Sequence, residues 1–348
     1  MSDTLSPQAS PPPGAVIMQM LTARLVAHAI GAAALFGFAD HLASGSKSAE
    51  ELSSLTGTHA PSVYRLLRAL AVHGIFAEID YEGGRGRFAN TPLSDALRRD
   101  APGSIRGLAL MLTHEFHVQA WLSLPQSITT GECGFEHRFK EPFWSYLRAH
   151  PEASAIFDDA MTSGTAQMSA AAVEVYDFSG IGTLVDVGGG RGGLLAAILK
   201  KHPDVQGILF DQPHVLEGAL PLLEANGVAD RCRIQGGDFF KEVPEGDAYI
   251  MKSIIHDWSD EDSLAILKTV ARVARPGAKL LLLEAVIKAG NEPDVMKTFD
   301  LEMLVMTNGG RERTEKEFDD LLGRAGFKLS RIVETGGMVP LVEAIRAT

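Results

Sequence analysis

The chain has 348 residues, 45% of them hydrophobic and 22% charged, enough to bury a large core and too balanced for a disordered or low-complexity polymer. Its 32 Lys and Arg against 44 Asp and Glu leave a net charge of −12, which disfavours a polyanion such as nucleic acid as the main ligand. Two cysteines, Cys133 and Cys232, stand far apart with no ligand pattern around them, so neither a disulfide scaffold nor a cysteine zinc site is expected.

Residues 1–14 are rich in Ser and Pro, carry no basic residue and read as a disordered tail without an export signal. The longest apolar run, residues 29–39, falls short of the roughly 20 residues that cross a bilayer, so a cytoplasmic protein with no membrane partner is expected. Residues 15–41 are apolar or small with few breaks, the pattern of a helix buried on most of its circumference.

Ser48 followed by Glu51 marks a helix start with a capping box, and a second amphipathic helix runs from Ala60 toward Gly74. Two strand-like pieces, residues 75–81 and 87–89, joined by Glu82-Gly-Gly-Arg-Gly86, complete a helix-turn-helix with a β-wing. Between Lys47 and Arg106 stand eight basic and seven acidic residues, far from the footprint of a DNA-binding module. A dimerisation or lid module over residues 15–105 is the preferred reading. Residues 106–178 read as a helical linker and pocket region whose aromatic and Met residues either fill a core or wall a ligand site.

From residue 179 onward short apolar strands alternate with helices: 183–187, 207–210, 231–235, 248–251, 279–283, 328–333 and 341–345. This is the pattern of an α/β domain with a doubly wound, mostly parallel, Rossmann-like sheet, which binds ligands beyond the carboxyl ends of its strands. Its first strand runs into Asp186-Val-Gly-Gly-Gly-Arg-Gly-Gly193, where Gly188, Gly190 and Gly193 satisfy G-x-G-x-x-G, and Asp211 ends the next strand. That pairing suits any adenosine-bearing cofactor. Asp186, two residues before the first glycine, would repel a pyrophosphate and suit a cofactor with an ammonium and a sulfonium. Asp238 and Phe239, after the third strand, are candidates for the adenine amino group and ring, with turn formation as the alternative for Asp238. Lys252 ends the fourth strand and is a candidate adenine donor or partner of the acidic loops.

Just past that strand, His256 in Ile255-His-Asp-Trp-Ser-Asp260 is the candidate general base, since a neutral imidazole titrates near physiological pH. Glu284 and Glu312 are the carboxylates expected to orient it, and Asp257 is a candidate cap for the following helix. No histidine shows metal-ligand spacing, and no metal is expected.

The ordered set Leu-Val-Asp-Val-Gly-Gly-Gly (184–190), Phe-Asp-Gln-Pro-His-Val (210–215), Gly-Gly-Asp-Phe-Phe (236–240), Met-Lys-Ser-Ile-Ile-His-Asp-Trp-Ser-Asp (251–260), Glu284 and Gly-Gly-Arg-Glu-Arg-Thr (309–314) resembles a known family. These are the S-adenosylmethionine-dependent O-methyltransferases related to plant caffeate and hydroxyindole O-methyltransferases and to bacterial enzymes that tailor aromatic antibiotics. The resemblance implies a class I methyltransferase domain preceded by a winged-helix dimerisation domain, a homodimer, S-adenosylmethionine as donor, S-adenosylhomocysteine as product, and a small phenolic or quinone-like acceptor in secondary metabolism. It places Gly188, Asp211, Asp238, Phe239 and Lys252 at the cofactor and His256, Glu284 and Glu312 at the catalytic positions. More loosely, it puts Met161, Ser163, Met303 and Met306 near donor or acceptor. Transfer to a ring nitrogen, a non-methylating use of the cofactor, a ligand-sensing winged-helix regulator and an NAD-dependent oxidoreductase are the alternatives.

Overall fold

In the computed structural model, residues 11–79, 86–164 and 166–348 are described. They form two compact units, residues 1–114 and 115–348.

The first unit opens with the helix Pro13–Leu35, started by a proline at its first turn. Gly37, with φ of 64°, breaks the path before a short helix, Phe38–Leu42, so the single helix expected over 15–41 is two. The helix Ala49–Thr56 begins at Ser48 with the expected reciprocal capping box to Glu51, and Ala60–Ala71 follows. Strands β1 (Phe76–Ile79) and β2 (Arg87–Asn90) pair antiparallel, while most of the wing turn called at 82–86 lies outside the described residues. Phe38, Leu52, Leu67, Phe76 and Phe88 make the core. The helix Arg106–Thr113 packs on Pro13–Leu35, so closely that a Cβ on Gly31 would collide with Thr113. The region expected at 106–178 is therefore divided between the two units.

The first helix departs from expectation in a second way. Ile17, Leu21 and Leu25, spaced four apart along one stripe, are 56%, 63% and 61% exposed. The sequence has the pattern of a wrapped helix, but among the described residues this stripe is left largely uncovered. By length and composition this helix could also cross a membrane, which the shorter apolar run seen in the sequence did not suggest.

In the second unit the strands are β3 (Thr183–Val187), β4 (Gln206–Asp211), β5 (Cys232–Gly236), β6 (Ala248–Lys252), β7 (Lys279–Leu283), β8 (Phe327–Val333) and β9 (Leu341–Arg346). They form one sheet in the order β5-β4-β3-β6-β7-β9-β8. The first five are mutually parallel, and β9 is antiparallel to both β7 and β8. The mostly parallel doubly wound sheet is as expected.

Strand alternation sends Leu184 into the core on one face of the sheet and Val185 into the core on the other, so the strand is buried on both faces. The order reverses at β3, between β4 and β6, which opens a crevice at the carboxyl ends of these strands. Asp211 and Lys252 end their strands there, and the glycine turn follows Val187.

Candidate active site

The turn after β3 leads into the helix Gly193–Lys201. Gly188 has φ of 71°, and a Cβ there would come within 2.5 Å of Ile254 and 3.6 Å of Phe239; glycine is required by both conformation and space. Gly190, at φ of 60°, donates its N–H to Asp211 Oδ2 at 2.8 Å. Asp211 Oδ1 accepts from the Gln212 amide at 2.6 Å, and burial pushes its carboxyl up against these two amides. Two backbone bonds leave the carboxylate with further lone pairs for ligand hydroxyls. A Cβ built on Gly190 or Gly193 meets nothing within 4 Å, so the turn faces open space.

Asp186 lies beneath this turn. It is 1% exposed, a Cβ on Gly189 would strike its carboxyl group, and its Oδ2 is buried without a hydrogen-bond partner. Burial pushes it up to about 7, with Lys252 opposing and Asp211 reinforcing the shift. The carboxylate expected to face a cationic cofactor thus lies buried beneath the glycine turn, against Gly189. Asp238 is also engaged locally: Oδ1 accepts from the Phe240 amide at 3.0 Å and Oδ2 pairs with Lys241 at 3.1 Å, the turn-forming alternative. Phe239 packs at Gly188 and sits edge-on to Trp258, ring centroids 5.9 Å apart.

His256 sits on a short 3-10 turn, Ile255–Asp257, past β6. The bend is made by Ser253 at φ of 53°, a conformation costly for a non-glycine residue. It is held by Glu284 Oε1, which accepts from the amides of Ile254 and Ile255 at 2.9 and 2.8 Å. His256 Nδ1 is 2.9 Å from Glu312 Oε1 and 3.9 Å from Glu284 Oε2, while Nε2 is 3.6 Å from Asp257 Oδ1. Glu284 Oε2 and Glu312 Oε2 are buried without hydrogen-bond partners.

Burial disfavours the imidazolium, yet Glu284, Asp257 and Glu312 outweigh it and push His256 up to about 10. Burial likewise pushes Asp257 up to about 7, His256 opposing and the two glutamates reinforcing, and raises Glu284. The surrounding carboxylates thus hold the imidazole above the near-neutral range that the sequence alone suggests. Lys252, lowered by burial against the pull of Asp186 and Glu284, lies electrostatically between the glycine turn and this cluster.

Sequence reasoning missed the groups that hold the cluster. Arg313, 1% exposed, donates to the carbonyls of Ile255 and Trp258 at 2.9 and 3.1 Å, to Asp260 at 2.8 Å and to Ser263 at 3.2 Å. Asp300 Oδ1 accepts from the Glu312 amide at 2.8 Å. A Cβ on Gly310 would lie 2.6 Å from the His256 carbonyl, so the glycine lets the two segments touch. Arg313 lies within the quoted 309–314 motif, but only burial distinguishes it from Arg311.

Met303 and Met306 are buried in the helix Met296–Met306 that leads into the Glu312 segment. Met161 and Ser163 lie on the helix Pro151–Gly164, and the Ser163 hydroxyl is taken by its own helix, donating to the Asp159 carbonyl at 2.7 Å. Of the aromatics left between core and pocket, Phe143 is core. Trp144 links Phe157 to Trp258, with ring centroids 5.6 and 6.4 Å away. His256, Glu284 and Glu312 also place possible ligand atoms within 4.8 Å of one another, a donor set compatible with a metal ion.

Two family models match: an O-methyltransferase domain over residues 121–328 and an O-methyltransferase dimerisation domain over residues 18–100. The chain is 42% identical over 334 residues to a phenazine O-methyltransferase, PhzM, of Lysobacter antibioticus, covering 96% of each. It is 34% identical to a phenazine-1-carboxylate N-methyltransferase of Pseudomonas aeruginosa, covering 95% of this chain and 97% of the relative. It also matches the crystal structure of NcsB1, an O-methyltransferase from neocarzinostatin biosynthesis in complex with S-adenosylmethionine and 2-hydroxy-5-methyl naphthoic acid. That match has a TM-score of 0.76 and 32% identity, and covers 92% of this chain and 96% of that one.

Proposed function

The chain belongs to the O-methyltransferase family, and from that premise we propose that it methylates a hydroxyl of a small aromatic metabolite with His256 at the centre of proton removal. S-adenosylmethionine is the methyl donor and S-adenosylhomocysteine the product; when bound, the donor supplies an electrophilic methyl group. Gly188, Gly190 and Asp211 would hold it, with Phe239 and Lys252 beside them. Open space over the turn and the free lone pairs of Asp211 suit that ligand.

The observation that carries the reading is the 2.9 Å contact between His256 Nδ1 and Glu312. With Nδ1–H donating to Glu312, Nε2 faces away from that carboxylate, and once the cluster has lost a proton Nε2 can take the acceptor's hydroxyl proton. Glu284 fixes the loop and Arg313 its carbonyls, so the base is pre-positioned before the acceptor arrives. Because the same Nδ1 that could ligate a metal is used in that hydrogen bond, we assign the three groups to proton handling.

The acceptor we favour is a phenolic fused ring of the phenazine or naphthoate kind. Transfer to nitrogen is the second reading, supported by the N-methylating relative. With two unpaired cysteines the enzyme is read as cytoplasmic, and the exposed stripe on Pro13–Leu35 as the face that meets a second copy. A panel of hydroxyphenazines, hydroxynaphthoates, hydroxyquinones and aromatic amines with labelled donor tests the acceptor class. His256→Ala is expected to lower kcat roughly 10²- to 10⁴-fold while keeping S-adenosylhomocysteine affinity; retained methylation would refute the base assignment.

A further inference from the structure

Arg191 occupies the tip of the glycine turn, where a methyl-donor site needs only backbone and small residues. Its guanidinium is forked across two consecutive carboxylates of the helix Pro151–Gly164, Nη2 at 3.4 Å from Asp158 and Nη1 at 3.2 Å from Asp159. Its stem runs over Gly218, where a Cβ would come within 3.1 Å of Nε, so a larger residue there would push it aside. Arg191 and Asp158 are each about one-third exposed, Asp159 about two-thirds.

Three further facts locate this pair. Asp158 acts electrostatically on Asp211, and His214 acts on both; with Arg191 one residue past Gly190 and 3.4 Å from Asp158, the helix carboxylate stands by the turn that Asp211 holds. Burial raises Asp158 and Arg191 opposes it, as expected of an acid drawn against the turn. On its other side the same helix is tied to the His256 loop through Phe157, Trp144 and Trp258. Few of its residues are buried, Ala153 and Ala160 among them, so a polar tie is a substantial part of what seats it.

We propose that Arg191, Asp158 and Asp159 form a latch that closes the helix Pro151–Gly164 over the cofactor crevice and sets the rate at which S-adenosylhomocysteine leaves. The inference rests on the methyltransferase reading above. A guanidinium reaches two carboxylates at once where an ammonium would reach one, and the pair is exposed enough for salt to loosen it.

The test is stopped-flow release of S-adenosylhomocysteine, followed by tryptophan fluorescence, for the native chain, Arg191→Met, Asp158→Asn with Asp159→Asn, and the combination, at low and high NaCl. Arg191→Met and the double Asn variant are each expected to speed release roughly three- to tenfold. The combination should add little beyond either. Release from the native chain should quicken with salt, release from the variants should not, and Arg191→Lys should fall between.

Faster release in Arg191→Met with unchanged release in the double Asn variant would show the guanidinium acting on the cofactor itself and overturn the latch. Salt-insensitive release from the native chain would overturn it without any variant. Failure of the native chain to bind S-adenosylhomocysteine at all is the separate result that would overturn the cofactor reading, and the latch with it.

Discussion

Glu312→Gln isolates the charge that holds His256, because glutamine keeps an oxygen able to accept from Nδ1 while removing the negative charge. His256 stands at about 10 against an ordinary 6.5, a difference worth about 5 kcal/mol in favour of the imidazolium at about 1.4 kcal/mol per unit. Glu284, Asp257 and Glu312 supply it against the cost of burial. A hydrogen bond to a charged group contributes about 1.5–3 kcal/mol and a neutral one about 0.5–1.5, so the substitution should lower the imidazole by about one unit. The cluster accepts a proton only after losing one, so kcat of the native enzyme should climb with pH on the alkaline side. In Glu312→Gln that climb should come about one pH unit earlier, at a lower plateau.

Single-turnover methylation from pH 6 to 10.5 measures this without interference from product release. An unmoved midpoint, or one displaced to higher pH, would refute the reasoning. Folding stability offers a second check. A raised histidine stabilises the fold fully below its unfolded value of about 6.5, and that contribution is lost as pH rises through about 10, so the native chain and the variant should converge in stability at the alkaline end of that window.

Arg313→Met should cost about 3 kcal/mol in urea unfolding, since it takes the buried cation from Asp260 and leaves the carbonyls of Ile255 and Trp258 to share the Ser263 hydroxyl, and should lower kcat more than cofactor affinity. Asp186 is raised from 3.8 to about 7, so its ionisation takes away stability as pH climbs between those values, on the order of 4 kcal/mol. Asp186→Asn, which keeps the shape of the side chain without the titrating group, should flatten the difference in denaturation midpoint between pH 5 and pH 8. Leu21→Asp with Leu25→Asp, on a stripe already more than 60% exposed, should leave the fold intact and convert a dimer to a monomer by light scattering; an unchanged mass would refute the interface.

Much of this molecule is legible along the chain because the signals are local. Strand periods, the glycine turn, the Ser48 capping box and the order of acidic strand ends depend on neighbours in sequence, and the backbone obeys them. The presence of His256 and Glu284 at one edge follows from the parallel sheet, which collects the carboxyl ends of its strands, whereas Glu312 reaches them on the segment after the helix Met296–Met306.

Tertiary structure decided what each group does once there. Asp186 ends up buried under the glycine turn with one oxygen unpartnered, and Asp238 is braced by the Phe240 amide and by Lys241. His256 is raised by the adjacent Asp257 and by Glu284 and Glu312, which are distant from it in sequence, and Arg313 is distinguished from Arg311 only by the space that closes around it. The apolar helix Pro13–Leu35 is the converse case: its sequence has the pattern of a covered helix, and the described residues leave its Ile17–Leu21–Leu25 stripe exposed. Proton affinity and burial depend on everything within a few ångströms, and that neighbourhood is assembled only when the chain folds.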